Sequence, residues 1–346
     1  MLLGFSGYSF CKAHSTAYGV EAYAGAHLKR YFPAEFLAAI LSNGKGFYSA
    51  LAYTLVCRGR GIGFASPDTN ASRRGYFAEH DTRGARIRVP LAAIKDLTTS
   101  TLERWECEKD RRPFDSMQDF FVRVNPDVSE MQNLIRVGVF DSFGETRTAQ
   151  IWSLHRLARW RPEGAQGVLF AHHIETELPD LPLSEPTALE RLRAEHELLG
   201  YTVSGHPLNL YPEVAWATYC PISDLGNYPN EEVTVCGLII ADRLHHQVTG
   251  ETMKFISVCD YSGIVECELF AQTYRAFGIQ TVRYPVVEIT ARVSQYDGGV
   301  GYSLDVKRVA QPRTQRRPAG EEWAADAKSA PGHSPAGRFA QASPPA

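Results

Sequence analysis

Apolar and aromatic positions in the first part of the chain recur at helical spacing. Tyr18, Tyr23 and Leu28 fall on one helix, and Phe36, Leu37, Ile40 and Leu41 on a second that Pro33 opens. A loop at 42–46 ends this pair. A helix over 47–58 follows and stops at Gly59-Arg60-Gly61, and Ser66-Pro67-Asp68-Thr69-Asn70 makes a turn. The spacing predicts helices to about Ile87, then short helices and turns from Leu91 to Trp160. Residues 161–230 carry proline and acid and read as a connecting region. It holds one helix, from Thr187 to Gly200, whose start has the Thr187/Glu190 signature of a capping box.

At Glu231 the period changes to two. The run Ile264-Val-Glu-Cys-Glu-Leu-Phe270 alternates cleanly, and Val248-Thr-Gly-Glu251 and Tyr261-Ser-Gly263 supply hairpin turns. Three strands precede a short helix over 271–277. Two more strands follow, over 284–294 and 301–309, joined by Asp297-Gly298-Gly299. Strand-strand-strand-helix-strand-strand is the layout of an OB-fold barrel. After Gln311 the composition collapses into Pro, Ala, Ser, Gly and Arg, which predicts a disordered tail. The expected fold class is therefore multidomain, mainly α over the N-terminal two-thirds, with an all-β barrel and a tail behind it. The segments are 1–90, 91–160, 161–230, 231–310 and 311–346.

Composition narrows the function classes. A hydrophobic content of 44% with 22% charge is that of an ordinary soluble protein, and no apolar run approaches membrane-spanning length. Neither a membrane partner nor a signal peptide is expected, and the expected compartment is the cytoplasm. The net charge of −3 hides an asymmetry, since eight Lys/Arg face three Asp/Glu between Met1 and Phe77. Such a start suits an anionic partner, and a solvated helix face is the bland alternative. The cysteines number seven and are never spaced C-x-x-C, which argues for reduced thiols and no structural zinc. The pairs His172-His173 and His245-His246 lack a ligand frame and read as surface histidines.

The phrase Tyr8-Ser9-Phe10-Cys11-Lys12-Ala13-His14-Ser15, followed by Leu28-Lys29, Tyr31 and Pro33-Ala34-Glu35-Phe36, resembles the end of the fingers domain of the bacterial DNA polymerase III alpha subunit, a C-family polymerase. The resemblance places Lys12, His14, Ser15, Lys29 and Arg30 near template and incoming nucleotide. Pro67-Asp68-Thr69-Asn70 matches a further family phrase, with Asp68 and Asn70 read as turn formers. The stretches 91–97 and 134–144 resemble the family's tandem helix-hairpin-helix region, with Ile94 and Lys95 in the first hairpin and Gly138 and Gly144 in the second. Such hairpins hold DNA by aiming main-chain N–H groups at a phosphate. The first departs from the pattern, carrying Pro90, Asp96 and Thr98 where glycines are expected. DNA binding and plain packing therefore stand as equal readings.

Gln166-Gly167-Val168-Leu169-Phe170 fits the Gln-x-x-Leu-Phe peptide by which the family grips the bacterial sliding clamp, Leu169 and Phe170 entering an apolar pocket. Glu197-Leu-Leu-Gly-Tyr-Thr-Val-Ser-Gly-His206-Pro207-Leu208 is another close family phrase, with His206 read as a packed corner. In the barrel, single-stranded DNA is expected to stack on Phe255, Tyr261 or Tyr302, beside Arg243, Lys254, Arg292 and Lys307. Phe255 is the aromatic most expected to fill the core instead.

C-family polymerases bind two magnesium ions through palm aspartates that precede the fingers, and two-metal transfer requires them. The chain has no Asp-x-Asp pair and no room before Gly7 for a palm, so no catalytic residue, metal ligand or cofactor is expected in it. The resemblance implies the C-terminal portion of an alpha-like subunit, acting in replication or translesion repair synthesis and inactive alone. Its expected partners are DNA (single-stranded or primer-template), the sliding clamp and a separate palm-bearing chain. The alternative is a stand-alone, non-catalytic DNA- and clamp-binding module or a truncated gene product. Gly46-Phe47-Tyr48-Ser49 is similar to the error-prone branch of the family.

Overall fold

The computed structural model describes residues 12–159, apart from 45, 47 and 83, and residues 184–315, apart from 249 and 296–300. Helix α1 (Lys12–Tyr31) runs into α2 (Pro33–Asn43), which Pro33 starts and Gly44, at φ 60°, ends. The α2 stripe Ala34, Leu37, Ala38 and Leu41 is buried. Helix α3 (Ala50–Gly59) is capped by Ser49, whose hydroxyl accepts from the Ala52 N–H at 3.3 Å.

The sequence predicts helices to Ile87, and here the structure differs. Strands β1 (Gly63–Ala65), β2 (Phe77–Asp81) and β3 (Gly84–Arg88) form a small sheet in the order β1-β3-β2, with β1 parallel and β2 antiparallel to β3. Gly61 and Gly63 break the helical run, and Arg86-Ile87-Arg88-Val89 alternates at period two over too few residues to stand out. Ile87 closes a core with Leu37, Leu41, Cys57 and Ile62. Asp68 is a turn former as expected: its carboxylate accepts from the N–H groups of Asn70 (2.8 Å) and Ala71 (2.7 Å). Asn70 then bonds the main chain of Phe114 in both directions, tying this turn to the hairpin region.

That region contains α4 (Thr99–Arg111), α5 (Met117–Val124), α6 (Val128–Arg136) and α7 (Arg147–Arg159). The Phe120 ring lies 5.1 Å from both Phe114 and Phe140 at the centre of its core. Helix α8 (Ala188–Leu199) has the expected Thr187/Glu190 capping box and ends at Gly200. Leu198, Leu199, Tyr201 and Val203 enter the same core, so this stretch is built into the hairpin region. Arg58 of α3 donates to the carbonyls of Thr202 and Val203, and Tyr76 and Tyr201 share a 2.7 Å hydroxyl contact.

The second body is a closed barrel of β4 (Glu232–His246), β5 (Thr252–Cys259), β6 (Ile264–Leu269), β7 (Val286–Gln295) and β8 (Tyr302–Ala310). The order is β4-β5-β6-β8-β7, with β7 closing on β4 and only β6–β8 parallel. Val235, Ile256, Val258, Ile289 and Val306 fill it. Helices α9 (Ala271–Phe277) and α10 (Gln280–Arg283) lie between β6 and β7 in the chain. A seam of Leu55, Leu208, Val214, Tyr219, Cys236, Leu238 and Cys259 joins the barrel to α3 and to residues 207–219. The described chain past β8 is ordered to Gln315: Thr314 bridges Val214, and the Gln315 N–H donates to the Glu213 carbonyl. The rest of the expected tail lies outside the described residues.

Candidate nucleic-acid interface

Helix α1 does not gather its five expected residues. His14 and Ser15 are exposed, Lys29 is half-buried and Arg30 exposed, and the Lys12 side chain lies outside the described residues. Sixteen residues separate His14 from Arg30, which puts them about 24 Å apart along the axis and on nearly opposite sides. The His14 ring meets Tyr18 edge-on at 4.5 Å.

The hairpins are anchored from within. Ile94 is buried, and Lys95 points its side chain to solvent while its N–H donates to the Leu198 carbonyl at 2.8 Å. Asp96 holds a left-handed φ of 62°, a conformation that glycine and, among the others, Asn and Asp take most readily. Two residues on, the Thr98 amide donates at 2.7 Å to Glu130, a carboxylate only 3% exposed. Burial alone would push the Glu130 carboxyl up. Hydrogen bonds from the N–H groups of Thr98 and Asp127 and the hydroxyls of Thr101 and Thr98 outweigh it, and the group lies below its ordinary value.

In the second hairpin Gly138 and Gly144 take φ 84° and 85°. Arg147 clasps Asp141 at 2.7 Å and donates to the Arg136 carbonyl at 2.8 Å, bracing the loop. Glu185 sits on the N-terminus of α7, accepting from the N–H groups of Arg147 (3.3 Å) and Thr148 (3.1 Å). Its carboxyl is raised by burial but held low, on balance, by hydrogen bonds from Thr148, Thr146 and Arg147. In both hairpins, amides near the helix starts already have an internal acceptor. The capping pattern Asp127-x-x-Glu130 is visible in the sequence, whereas nothing marks Glu185, 38 residues beyond Arg147. Gln166, Leu169 and Phe170 lie outside the described residues.

The barrel brings together two of its seven expected residues. Arg243 and Phe255 are register partners on β4 and β5, with the guanidinium 5.5 Å from the ring centroid. His245 joins the ring at 6.4 Å. Phe255, expected to stack on DNA with the core as its alternative, is half-exposed because it alternates out of phase with Ile256 and Val258. Lys254, expected beside the DNA backbone, is in phase with them and is 3% exposed. Its ammonium donates to Thr281 (3.0 Å) and pairs with Asp242 (2.7 Å). Tyr261 stays 49% exposed while it donates to Asn209 at 2.8 Å and meets the rings of His206 and Trp216, apart from the Arg243–Phe255 pair. The His206 Nδ1 accepts from the Leu208 N–H in a packed corner, and burial, with Arg58 adding to it, lowers the imidazole pKa to about 4. Tyr302 packs against the barrel core and over Gly226. Arg292 is exposed and donates to the Asn230 carbonyl, and Lys307 pairs with Asp305. The register sets Glu268 opposite Phe255 and beside Asp305, so acid flanks one side of the Arg243–Phe255 pair. The alternation of 265–268 already placed Glu266 and Glu268 on one face. Among the described residues no three His, Cys, Asp or Glu side chains are grouped to hold a metal, and no helix is long and apolar enough to cross a membrane.

Hairpin helices followed by a closed OB-like barrel define a multidomain class of architecture, and residues 61–150 match the helix-hairpin-helix motif family. The chain is homologous to the C-terminal part of bacterial DNA polymerase III alpha subunits. It is 31% identical over 293 residues to the alpha subunit of Thermus aquaticus, covering 79% of this chain and 23% of that protein. With the Pseudomonas aeruginosa alpha subunit it shares 30% over 338 residues, 88% of this chain and 28% of the relative. An error-prone DNA polymerase of Symbiobacterium thermophilum is 26% identical over 350 residues. The chain thus spans about a quarter of the length of the alpha subunits it matches. A solved structure of RecG bound to a three-way DNA junction aligns with 63% of the chain at 17% identity, but its TM-score of 0.21 defines no common fold.

Proposed function

We propose that the chain handles nucleic acid for a DNA polymerase of the alpha-subunit type, in replication or translesion repair synthesis. The homology over 79–88% of the chain, with hairpins and barrel in one colinear stretch, carries this reading. Single-stranded DNA lies on the β4–β5 arm, its bases on Phe255 and its phosphates by Arg243. Gln166, Leu169 and Phe170 reach a sliding clamp. Phosphodiester formation and its magnesium ions belong to the palm domain of such a polymerase.

The test is the affinity for a labelled single-stranded oligonucleotide across a salt series. Arg243→Ala with Phe255→Ala should weaken binding about ten-fold and lower the salt slope by about one. Lys254→Met should leave both unchanged, because that ammonium is buried. Equal binding by the Arg243/Phe255 double variant would place the DNA elsewhere. The chain alone should incorporate no nucleotide on primed DNA with magnesium; template-dependent extension would overturn that part.

A further inference from the structure

The outer face of the barrel carries a row of register partners that crosses three strands. Arg243 on β4 stands opposite Phe255 on β5, and Phe255 stands opposite Glu268 on β6. Glu268 alternates with the core residues Cys267 and Leu269, as Phe255 does with Ile256, so both lie on the outer side. The guanidinium and the carboxylate therefore flank the ring from opposite sides, two strand spacings or about 10 Å apart. Among the described residues neither takes part in an ion pair: the Arg243 guanidinium lies over the Phe255 ring, and Glu268 accepts from the Ser303 hydroxyl. Asp305, the next residue in the row, is taken by Lys307. Burial pushes the Glu268 carboxyl up, the Ser303 hydrogen bond opposes the rise, and Glu266 and Asp305 add to it. Further N–H donors are what would hold its charge.

We propose that this row reads a guanine in single-stranded DNA, the base lying on Phe255, its phosphate side towards Arg243, and its N1–H and N2–H groups donating to the Glu268 carboxylate. The proposal rests on the single-strand reading above and adds which base that site prefers. An ionised carboxylate only accepts hydrogen bonds, and its two oxygens have room for these donors beside Ser303. Guanine presents two adjacent donors on its Watson–Crick edge, so it meets both oxygens at once. Adenine and cytosine set one donor group beside an acceptor, and thymine sets one donor between two acceptors. Each of these turns a lone pair towards the carboxylate. Stacking on an aromatic ring is tolerant of sequence, so the discrimination falls to Glu268.

The probes are a labelled oligothymidylate of roughly eight residues and the same strand with one central dG or one central deoxyinosine, each titrated with the full chain. The dG strand should bind about ten-fold tighter than the all-dT strand, within the discrimination one bidentate pair provides. Deoxyinosine keeps the N1–H and lacks the 2-amino group, so it should lose most of that gain. This comparison uses the wild type and does not depend on how a variant folds. Glu268→Gln sets an amide N–H group against the guanine donors and should remove the dG preference, while the all-dT strand binds no more weakly than to the wild type. Equal wild-type affinity for the dG and all-dT strands, with Arg243→Ala and Phe255→Ala together weakening both, would overturn the guanine assignment and leave the single-strand reading standing. A dG preference that survives in Glu268→Gln, or that deoxyinosine reproduces in full, would overturn the assignment too, because another group would then be reading the base. If the Arg243/Phe255 double variant binds every strand as the wild type does, both readings fall.

Discussion

Glu130 shows how much one buried carboxylate organises. It accepts from two main-chain amides, Thr98 and Asp127, and from the hydroxyls of Thr98 and Thr101, so it fixes the starts of α4 and α6 at once. Glu130→Gln removes the charge and turns one acceptor into a donor facing these donors. The expected loss is about 1–3 kcal/mol in urea unfolding, the cost of a buried group left without its partner. The pH dependence has a definite sign. The folded carboxyl lies below its ordinary value of 4.5, so its contribution is complete above that value and is lost as pH falls through the lower, folded one. The wild type should lose stability on acidification below about pH 4.5 more steeply than Glu130→Gln. Equal slopes would show that Glu130 is not the group that titrates with unfolding. Glu185 adds a term of the same sign from α7.

Among the elements, the second hairpin separates two effects that usually travel together. Gly138 and Gly144 have nearly the same φ, 84° and 85°, and a Cβ at either meets the same left-handed backbone penalty of about 1–2 kcal/mol. Their surroundings differ. Nothing lies within 4 Å of a Cβ at 144, whereas one at 138 would land on the Arg147 guanidinium and the Asp141 carboxylate. Gly138→Ala should therefore destabilise by a further ~1–3 kcal/mol over Gly144→Ala, because it also breaks the clasp that braces the loop. Equal losses in thermal or urea unfolding would show that the clasp contributes nothing. The α8 capping box, helix α9 over 271–277 and the five barrel strands were legible in the sequence because each carries a local period or a cap, whereas the hairpins were legible only through the family resemblance of 91–97 and 134–144. The sheet β1-β3-β2 was not, since its strands have three to five residues and pair across a turn. The faces of β5 were legible in principle: Lys254 shares the phase of Ile256 and Val258, and Phe255 opposes it. What hid this was residue type, a lysine inside and a phenylalanine outside. The partners that make it workable, Asp242 and Thr281, come from β4 and α10.

At the scale of the whole molecule, α3 and the barrel meet through the Leu55–Leu208–Leu238 seam, and the segment after the barrel returns to it. Arg313 pairs with Glu288 at 3.2 Å and bonds the Tyr219 hydroxyl, which in turn donates to Glu288. The Gln166–Phe170 peptide lies outside the described residues. The described chain enters the intervening stretch from the last turn of α7, and the residues that follow return to the first turn of the same helix, where Glu185 accepts from Arg147 and Thr148. Thirteen residues of helix span about 20 Å; Glu185 holds the first turn, and Leu154 and Leu157 sit in the hairpin core towards the last. Removing those two side chains should therefore leave the folded core intact. Each would contribute roughly 1.5–3 kcal/mol on entering an apolar clamp pocket, less the cost of ordering the peptide. Leu169→Ala with Phe170→Ala should abolish binding to a bacterial sliding clamp in a surface-immobilised assay and shift thermal unfolding little. A large fall in unfolding temperature would instead show that both side chains belong to the core, and the clamp reading would be wrong.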